Sequence, residues 1–396
     1  MTPYDWIVVG GGITGAALTY ELAKQGLNVL LLERDPDGPS ATRYSYGGLA
    51  YWAGTTPLTQ QLGAEGLAIY RQLAAELEAE TEFRELDLLL TVAPTADPVA
   101  VAATYQGYAI TPTVLDRAQT CDLEPQLNPA ALSGALRLPH AHIHPQKVAA
   151  AYRAASQRLG AAYQPQAVLG FSQAGERVVG VQTAQDSYRA AQVALCAGGW
   201  SRSLLQAAGL SWPLYFTQAE ILAVPPVPWQ LQALIMPAQL QRFDLERRAA
   251  AQHQAWEHPG QEVAPAILDV GAIQFRDRSL YLGQISGVVT DPEAPGDAAQ
   301  GTARLRAAAT HLLPALAGVS SHWRRCLVAF SPGTEPAIGP LPHRPGLHLF
   351  AGFPNSLVTT APLARHFAAQ AAGAADAVMA QVVGRMETLG SEQATG

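Results

Sequence analysis

Residues 4–15 read Tyr4-Asp5-Trp6-Ile7-Val8-Val9-Gly10-Gly11-Gly12-Ile13-Thr14-Gly15, an apolar run that ends in a G-x-G-x-x-G turn on Gly10, Gly12 and Gly15. A helix pattern follows, Ala16-Ala17-Leu18-Thr19-Tyr20-Glu21-Leu22-Ala23-Lys24-Gln25-Gly26, and then a second buried strand, Leu27-Asn28-Val29-Leu30-Leu31-Leu32, that ends on Glu33. Strand, turn, helix, strand and acid stand in the register of a dinucleotide-binding βαβ unit. Gly10 allows the tight turn, Gly12 lets the backbone approach a pyrophosphate, and Gly15 lets the helix lie close to the strand. The helix N-terminus, with Ile13 and Thr14, offers N–H groups and a partial positive charge to phosphate. Glu33, roughly 20 residues after the turn, can accept from both hydroxyls of an adenosine ribose and would repel a 2′-phosphate. The stretch predicts an adenine dinucleotide other than NADP.

The chain has 396 residues, more than one ordinary core holds, so two domains are expected. A net charge of −7 argues against a nucleic-acid surface. Arginine carries almost all of the positive charge, since Lys24 and Lys147 are the only lysines. Cys121, Cys196 and Cys326 form neither a metal spacing nor a disulfide framework, which predicts a reducing, cytoplasmic setting. The nucleotide strand starts within a few residues of Met1, which leaves no room for a cleavable signal. No apolar run reaches the roughly 18 residues of a membrane span. Residues 361–383 come closest, but Arg365, His366 and Asp376 interrupt them, so they read as one helix packed inside the domain.

A polar, Gly-rich passage covers residues 35–54, and helical periodicity runs over 60–81. Strand patterns lie at 83–92, 192–196, 214–224, 266–287, 325–330 and 347–353; helices are expected from Gln146 to Gly160 and over 303–316. The polar end, residues 391–396, reads as a frayed tail.

Several of these stretches resemble the FAD-dependent amine and amino-acid oxidoreductases, the family of D-amino-acid oxidase, glycine oxidase and sarcosine oxidase. They are Gln192–Cys196 with Ala197-Gly198-Gly199-Trp200-Ser201, Leu115-Asp116 through Leu123-Glu124-Pro125-Gln126-Leu127, and His144-Pro145 before a helix. Pro332 through Ile338-Gly339-Pro340 and Gly352-Phe353-Pro354-Asn355-Ser356 complete the set. The resemblance runs through the whole chain and is strongest at the cofactor segments. It implies an α/β fold, with a Rossmann-like FAD-binding domain and an inserted antiparallel-sheet substrate domain of α+β type. Residues 1–82, 140–210 and 320–390 would form the FAD domain, and 83–139 and 211–319 the substrate domain. FAD would extend from the Gly10 turn, wrapped by Arg34, Thr42, Arg43, Ser45, Gly47 and Gly48 and met by Ala197, Gly198 and Trp200. Gly352, Asn355, Ser356 and Leu357 would place a helix N-terminus against the flavin edge that becomes anionic on reduction.

The chain departs from that family where substrate binds. An arginine before the Pro-Gly turn, which pairs with substrate carboxylate in glycine and D-amino-acid oxidases, is here Ser331, and serine cannot form the bidentate pair. Arg43, Arg242 and Arg276 are candidates to replace it; otherwise the substrate lacks an α-carboxylate. The lysine that promotes oxygen reaction in sarcosine oxidase is matched by Tyr281, which favours a dehydrogenase. Cys326 has the spacing of the cysteine linked to FAD in monomeric sarcosine oxidase, though a Cys on a buried strand also serves as a small apolar residue. His140, His142 and His144 would share one strand face, without an acid or cysteine at metal spacing, so no metal is expected. Tyr44, Tyr46, Tyr51 and Trp52 follow the pyrophosphate loop, as a cage for a cationic amine or as core.

The expected activity is oxidation of a C–N bond in a small amine or amino acid, by hydride transfer to flavin N5 and hydrolysis of the imine. No acid–base residue stands out; Tyr46, Tyr281 and Ser331 are the candidates near the flavin. Two alternatives remain: an FAD dehydrogenase of a hydroxy acid or cyclic amine using a quinone or carrier, and a flavin-bearing subunit without turnover.

Overall fold

The computed structural model describes residues 3–239, 241–333 and 335–394, with 387–394 as backbone only. Two sheets organise it. In the first, parallel strands run in the order Leu347–Ala351, Ser187–Leu195, Tyr4–Val9, Val29–Leu32 and Ala162–Gln164, and Ala337–Pro340 adds an antiparallel edge. Ile7, Val8, Leu30 and Leu31 are buried because helices or loops cover both faces, as a parallel sheet requires. Helix Ile13–Lys24 leaves the glycine turn and packs between Pro145–Arg158 and Ser356–Ala371.

The second sheet takes the order His322–Phe330, Tyr215–Val224, Leu280–Val289, Glu262–Gln274, Ala233–Pro237, Arg84–Val92, Gly134–His142 and Gly48–Leu49. Its neighbours are antiparallel except Ala233–Pro237, which pairs in parallel with Arg84–Val92. These two strands arrive on separate excursions of the chain, so no hairpin dictates their direction. His322–Phe330 and Gly48–Leu49 also belong to this sheet, although sequence reading groups residues 320–390 and 1–82 with the nucleotide segments. Gly134–His142 runs unbroken through the expected boundary at residue 140.

The expected single helix over 361–383 is two, Ser356–Ala371 and Ala377–Ala394. Gly373 turns the chain at φ +95°, and Asp376 starts the second helix by accepting from the Met379 N–H at 2.8 Å. Residues 391–394 of the expected frayed tail continue that second helix, and 395–396 lie outside the described residues. Among the described residues, no helix is long and apolar enough to cross a membrane.

Candidate active site

A cavity of about 1870 Å³ runs from the Gly10 turn to the face of the second sheet. Its nucleotide end is built from close backbone approaches. A Cβ on Gly15 would lie 1.9 Å from the Gly10 carbonyl oxygen, and one on Gly10 would lie 2.6 Å from the Cys196 carbonyl oxygen. Gly10 has φ +106°, a conformation that glycine adopts without strain. No side chain caps helix Ile13–Lys24, and Thr42 Oγ1 accepts from the Ile13 N–H at 2.9 Å, which ties the wrapping loop to the helix N-terminus. Glu33 accepts from the Gly11 and Asp35 N–H groups at 2.5 and 2.9 Å, so its carboxylate is fixed at the mouth of the turn. The Arg34 guanidinium stacks 3.9 Å above the Trp200 ring and joins the first and second nucleotide stretches.

Gly10, Gly12, Ile13, Thr14, Glu33 and Arg34 line this end of the cavity, followed by Thr42, Ser45 and Gly48. Ala197, Gly198 and Trp200 form another wall, and Gly352, Asn355, Ser356 and Leu357 a third. Asn355 also donates to the Ala50 carbonyl at 3.0 Å, which holds the C-terminal turn against the wrapping loop. Gly15 and Gly47 act from behind the lining: a Cβ on Gly47 would meet the Ile143 carbonyl at 2.1 Å. Arg43 points away and pairs with exposed Asp37 at 3.2 Å.

The far end is different in kind. Tyr46 donates to the Gly283 and Gly271 carbonyls at 2.7 and 3.2 Å, bridging two strands of the second sheet, and burial pushes its phenol well above the ordinary tyrosine range. Asp269 lies beside it, in a β-bulge. Leu268 pairs with Ile285 and Gly271 with Gly283, so Asp269 and Val270 together face one residue, Gln284. Leu268 and Val270 pack into a core with Leu305 and Ala309, whereas Asp269 lines the cavity. Its Oδ1 is buried without a hydrogen-bond partner, and burial pushes the carboxyl up to about 6 against the pull of Arg242.

Arg242 stands in helix Gln241–Ala250, which packs on the same strand, and it too lines the cavity. It pairs with buried Glu246 at 3.5 Å. Exposed Met236 and Phe243 mark the rim nearby. Of the three arginines weighed from sequence, this one alone faces the cavity; Arg276 is held on the surface by Glu80 at 3.3 Å and the Phe83 carbonyl at 2.9 Å.

Ser331 lines the cavity, but its hydroxyl is engaged with the Glu335 carbonyl at 2.5 Å and the Gly352 carbonyl at 2.9 Å. It fastens two turns together. Tyr281 is not part of the lining; it donates to the Arg43 carbonyl at 3.1 Å and packs on Phe275. Cys326 does line the cavity, and burial pushes its thiol up to about 12. Both lysines are committed elsewhere, Lys24 to Glu76 at 2.6 Å and Lys147 to Glu82 at 2.5 Å.

The three histidines have different roles. His140 accepts from Trp52 Nε1 at 3.1 Å through Nδ1, which leaves the proton of the neutral ring on Nε2. That Nε2 is buried, has no partner and sits under Gly48, where a Cβ would come within 2.6 Å. Burial holds His140 down to about 3, so the ring is neutral. His142 and His144 both pack against the Phe275 ring, with centroids 5.4 and 5.0 Å away, and His144 caps the helix that follows. Among the described residues, no group of three His, Cys, Asp or Glu could hold a metal.

Asp269 is the residue that sequence reading missed. The available signal was an acid inside the apolar strand pattern Ala266-Ile267-Leu268-Asp269-Val270-Gly271, where a charge has no place unless it faces a cavity. The nucleotide end fits FAD by its own features: Gly10 and Gly15, where a Cβ would meet backbone, a helix start without a side-chain cap, and the fixed carboxylate of Glu33 at the mouth of the turn. An unpartnered His140 N–H beneath Gly48 adds a buried donor farther along the cavity.

Known proteins share the fold. Residues 5–370 match the family model described as FAD dependent oxidoreductase. A 4-methylaminobutanoate oxidase (formaldehyde-forming) of Paenarthrobacter nicotinovorans is 34% identical over 238 residues, which is 56% of this chain but only 28% of that relative's length. A glycine oxidase of Pseudomonas aeruginosa is 28% identical over 375 residues, covering 89% of this chain and 90% of the relative. The crystal structure of glycine oxidase from Geobacillus kaustophilus shares the fold, with a TM-score of 0.77, 20% identity, and coverage of 95% of this chain and 96% of that one. The chain belongs to the DAO family of FAD-dependent oxidoreductases, and its cofactor is FAD.

Proposed function

We propose that this enzyme oxidises the C–N bond of a small amino acid, bound as a zwitterion between Arg242 and Asp269. The carrying observation is that these two opposite charges face one cavity and are not joined to each other by an ion pair. Arg242 replaces the carboxylate-binding role that Ser331 cannot fill, and a guanidinium suits a planar carboxylate. The relatives' names point the same way, toward glycine and a methylamino acid.

FAD, when bound, supplies the two-electron acceptor. The chain supplies everything else: it orients the substrate, excludes water and fixes charge. Arg242 holds the carboxylate end and sets which carbon faces inward. Tyr46 keeps the floor closed by occupying the Gly271 and Gly283 carbonyls. The uncapped helix starts at Ile13 and Ser356 face the cavity with positive ends, which suits pyrophosphate and an anionic reduced cofactor.

The reading keeps a two-domain division, with the second sheet, including His322–Phe330, as the substrate domain. It also keeps a cytoplasmic setting, supported by three unpaired cysteines. The cofactor is held without a covalent bond, because the Cys326 thiol has little thiolate to offer. With both lysines paired away from the cavity, reoxidation by oxygen is slow and a different acceptor serves.

The test is anaerobic addition of glycine, N-methylglycine, 4-methylaminobutanoate and the 2-hydroxy acid lactate to the yellow holoprotein. Bleaching of the flavin band by at least one amino acid, and not by lactate, is expected. Bleaching by lactate alone, or by nothing, overturns the proposal.

A further inference from the structure

We infer that Asp269 is the base that takes a proton from the substrate's ammonium group, so that the amine is neutral when it is oxidised. The inference rests on the amino-acid reading above and adds to it a residue with a defined chemical role. Amino acids in water near neutral pH are almost wholly ammonium ions, and an ammonium nitrogen has no lone pair to assist loss of hydride from its carbon. A member of this family can wait for the rare neutral amine or remove the proton on the enzyme. This chain has a group placed for the second route.

Three features converge on Asp269. The bulge of Asp269 and Val270 against Gln284 breaks the regular alternation of the strand and turns the carboxylate into the cavity. Oδ1 is buried with no donor, so the inner side of the carboxylate has no hydrogen-bond support for its charge. The neighbouring sheet carbonyls of Gly271 and Gly283 accept from Tyr46, which leaves Asp269 as the ionisable acceptor beside them. The charged and titratable groups facing it are Arg242 and Glu246 from the helix above and the Tyr46 phenol from the wrapping loop. Strand Leu280–Val289 contributes Gln284, which does not titrate. Helix Ala298–Leu312 covers the other face of the strand, with Leu268 and Val270. A carboxyl raised to about 6 is ionised at neutral pH, yet is a stronger base than an ordinary aspartate.

The step balances within the site. One N–H bond of the ammonium breaks, an O–H bond forms on the Asp269 carboxylate, and the electron pair stays on nitrogen. The proton returns to water when product leaves.

The test is anaerobic stopped-flow reduction of the holoenzyme flavin between pH 5 and 9.5, using whichever amino acid of the panel bleaches the wild type fastest. In the wild type, the second-order rate constant falls about tenfold per pH unit below about pH 6, as Asp269 becomes protonated. Asp269→Asn loses the break in that limb near pH 6 and is slowed on the order of 100-fold at pH 7.5. Its rate then climbs about tenfold per pH unit up to the substrate's own amine pKa, because only pre-formed neutral amine reacts. Its flavin content and its affinity for propionate, a carboxylate without an amine, stay at wild-type values. Asp269→Glu restores the break in part. If Asp269→Asn does not retain flavin, Asp269→Ser takes its place, and a wild-type profile in that variant overturns the inference equally.

Removing an unpartnered buried carboxylate also raises Tm at pH 8. Its raised folded pKa means that stability falls as pH rises from about 4 to 6, so the gain shrinks toward pH 5. An Asp269→Asn enzyme with wild-type rate and pH profile overturns the inference while leaving the amino-acid reading intact. A wild type that no amine bleaches overturns both.

Discussion

The two ends of the cavity are made of different material. The nucleotide end is a backbone device in which Gly10, Gly12 and Gly15 remove side chains, a helix start presents N–H groups, and Glu33 is pinned by the Gly11 and Asp35 N–H groups. The substrate end is a side-chain device: Asp269 on a bulge, Arg242 on a covering helix and Tyr46 spanning two strands. A backbone device admits almost no change and serves a cofactor common to a family. A side-chain device can be exchanged one residue at a time. The proposed substrate role of Arg242, with serine at position 331, would be such an exchange across two elements.

The sharpest way to break the comparison is at the backbone end. Gly15→Ala places a Cβ against the Gly10 carbonyl and should abolish flavin retention, giving a colourless protein by absorbance after gel filtration. A yellow Gly15→Ala protein would show that the turn is less exacting than its geometry says. At the substrate end the effect should be graded. Arg242→Ala removes a charge-assisted contact worth about 1.5–3 kcal/mol, so Kd for the amino acid rises roughly 10- to 100-fold with flavin content unchanged. Arg242→Lys keeps a charge beside Glu246 and should lose less.

Ser331→Ala should leave substrate affinity alone and cost about 1 kcal/mol of stability, read as a small fall in Tm, because the hydroxyl ties two carbonyls together. A large change in substrate affinity would return Ser331 to the substrate site. The smallest effect is expected at Cys326: Cys326→Ala stays yellow, and acid precipitation of the wild type releases all flavin into the supernatant.

This contrast also explains what could be read in the sequence. The nucleotide end lies mostly within Tyr4 to Glu33, so spacing alone displays it, and the other two walls, at Ala197–Trp200 and Gly352–Leu357, each carry their own glycine turn. The substrate end joins residues 46, 242 and 269, and nothing local links them. Arg242 was visible only as one arginine among several. Asp269 was masked by a strand pattern that a bulge interrupts, and a bulge depends on pairing with distant Gln284. Tyr281 was misplaced for a related reason: alignment to a strand position does not fix which face its side chain takes, and here it turns toward Arg43. The break at Gly373 was signalled by glycine itself, yet the apolar run around it hid the turn.

The most direct test of the account is to remove the carboxylate from the substrate while keeping the amine. Anaerobic flavin reduction in the wild type should be compared for N-methylglycine and dimethylamine, which present the same secondary amine with and without a partner for Arg242. N-methylglycine is expected to have the larger second-order rate constant by about 10- to 100-fold, and Arg242→Ala to remove most of the difference. Equal rates for the two amines, or a preference that survives Arg242→Ala, would contradict it.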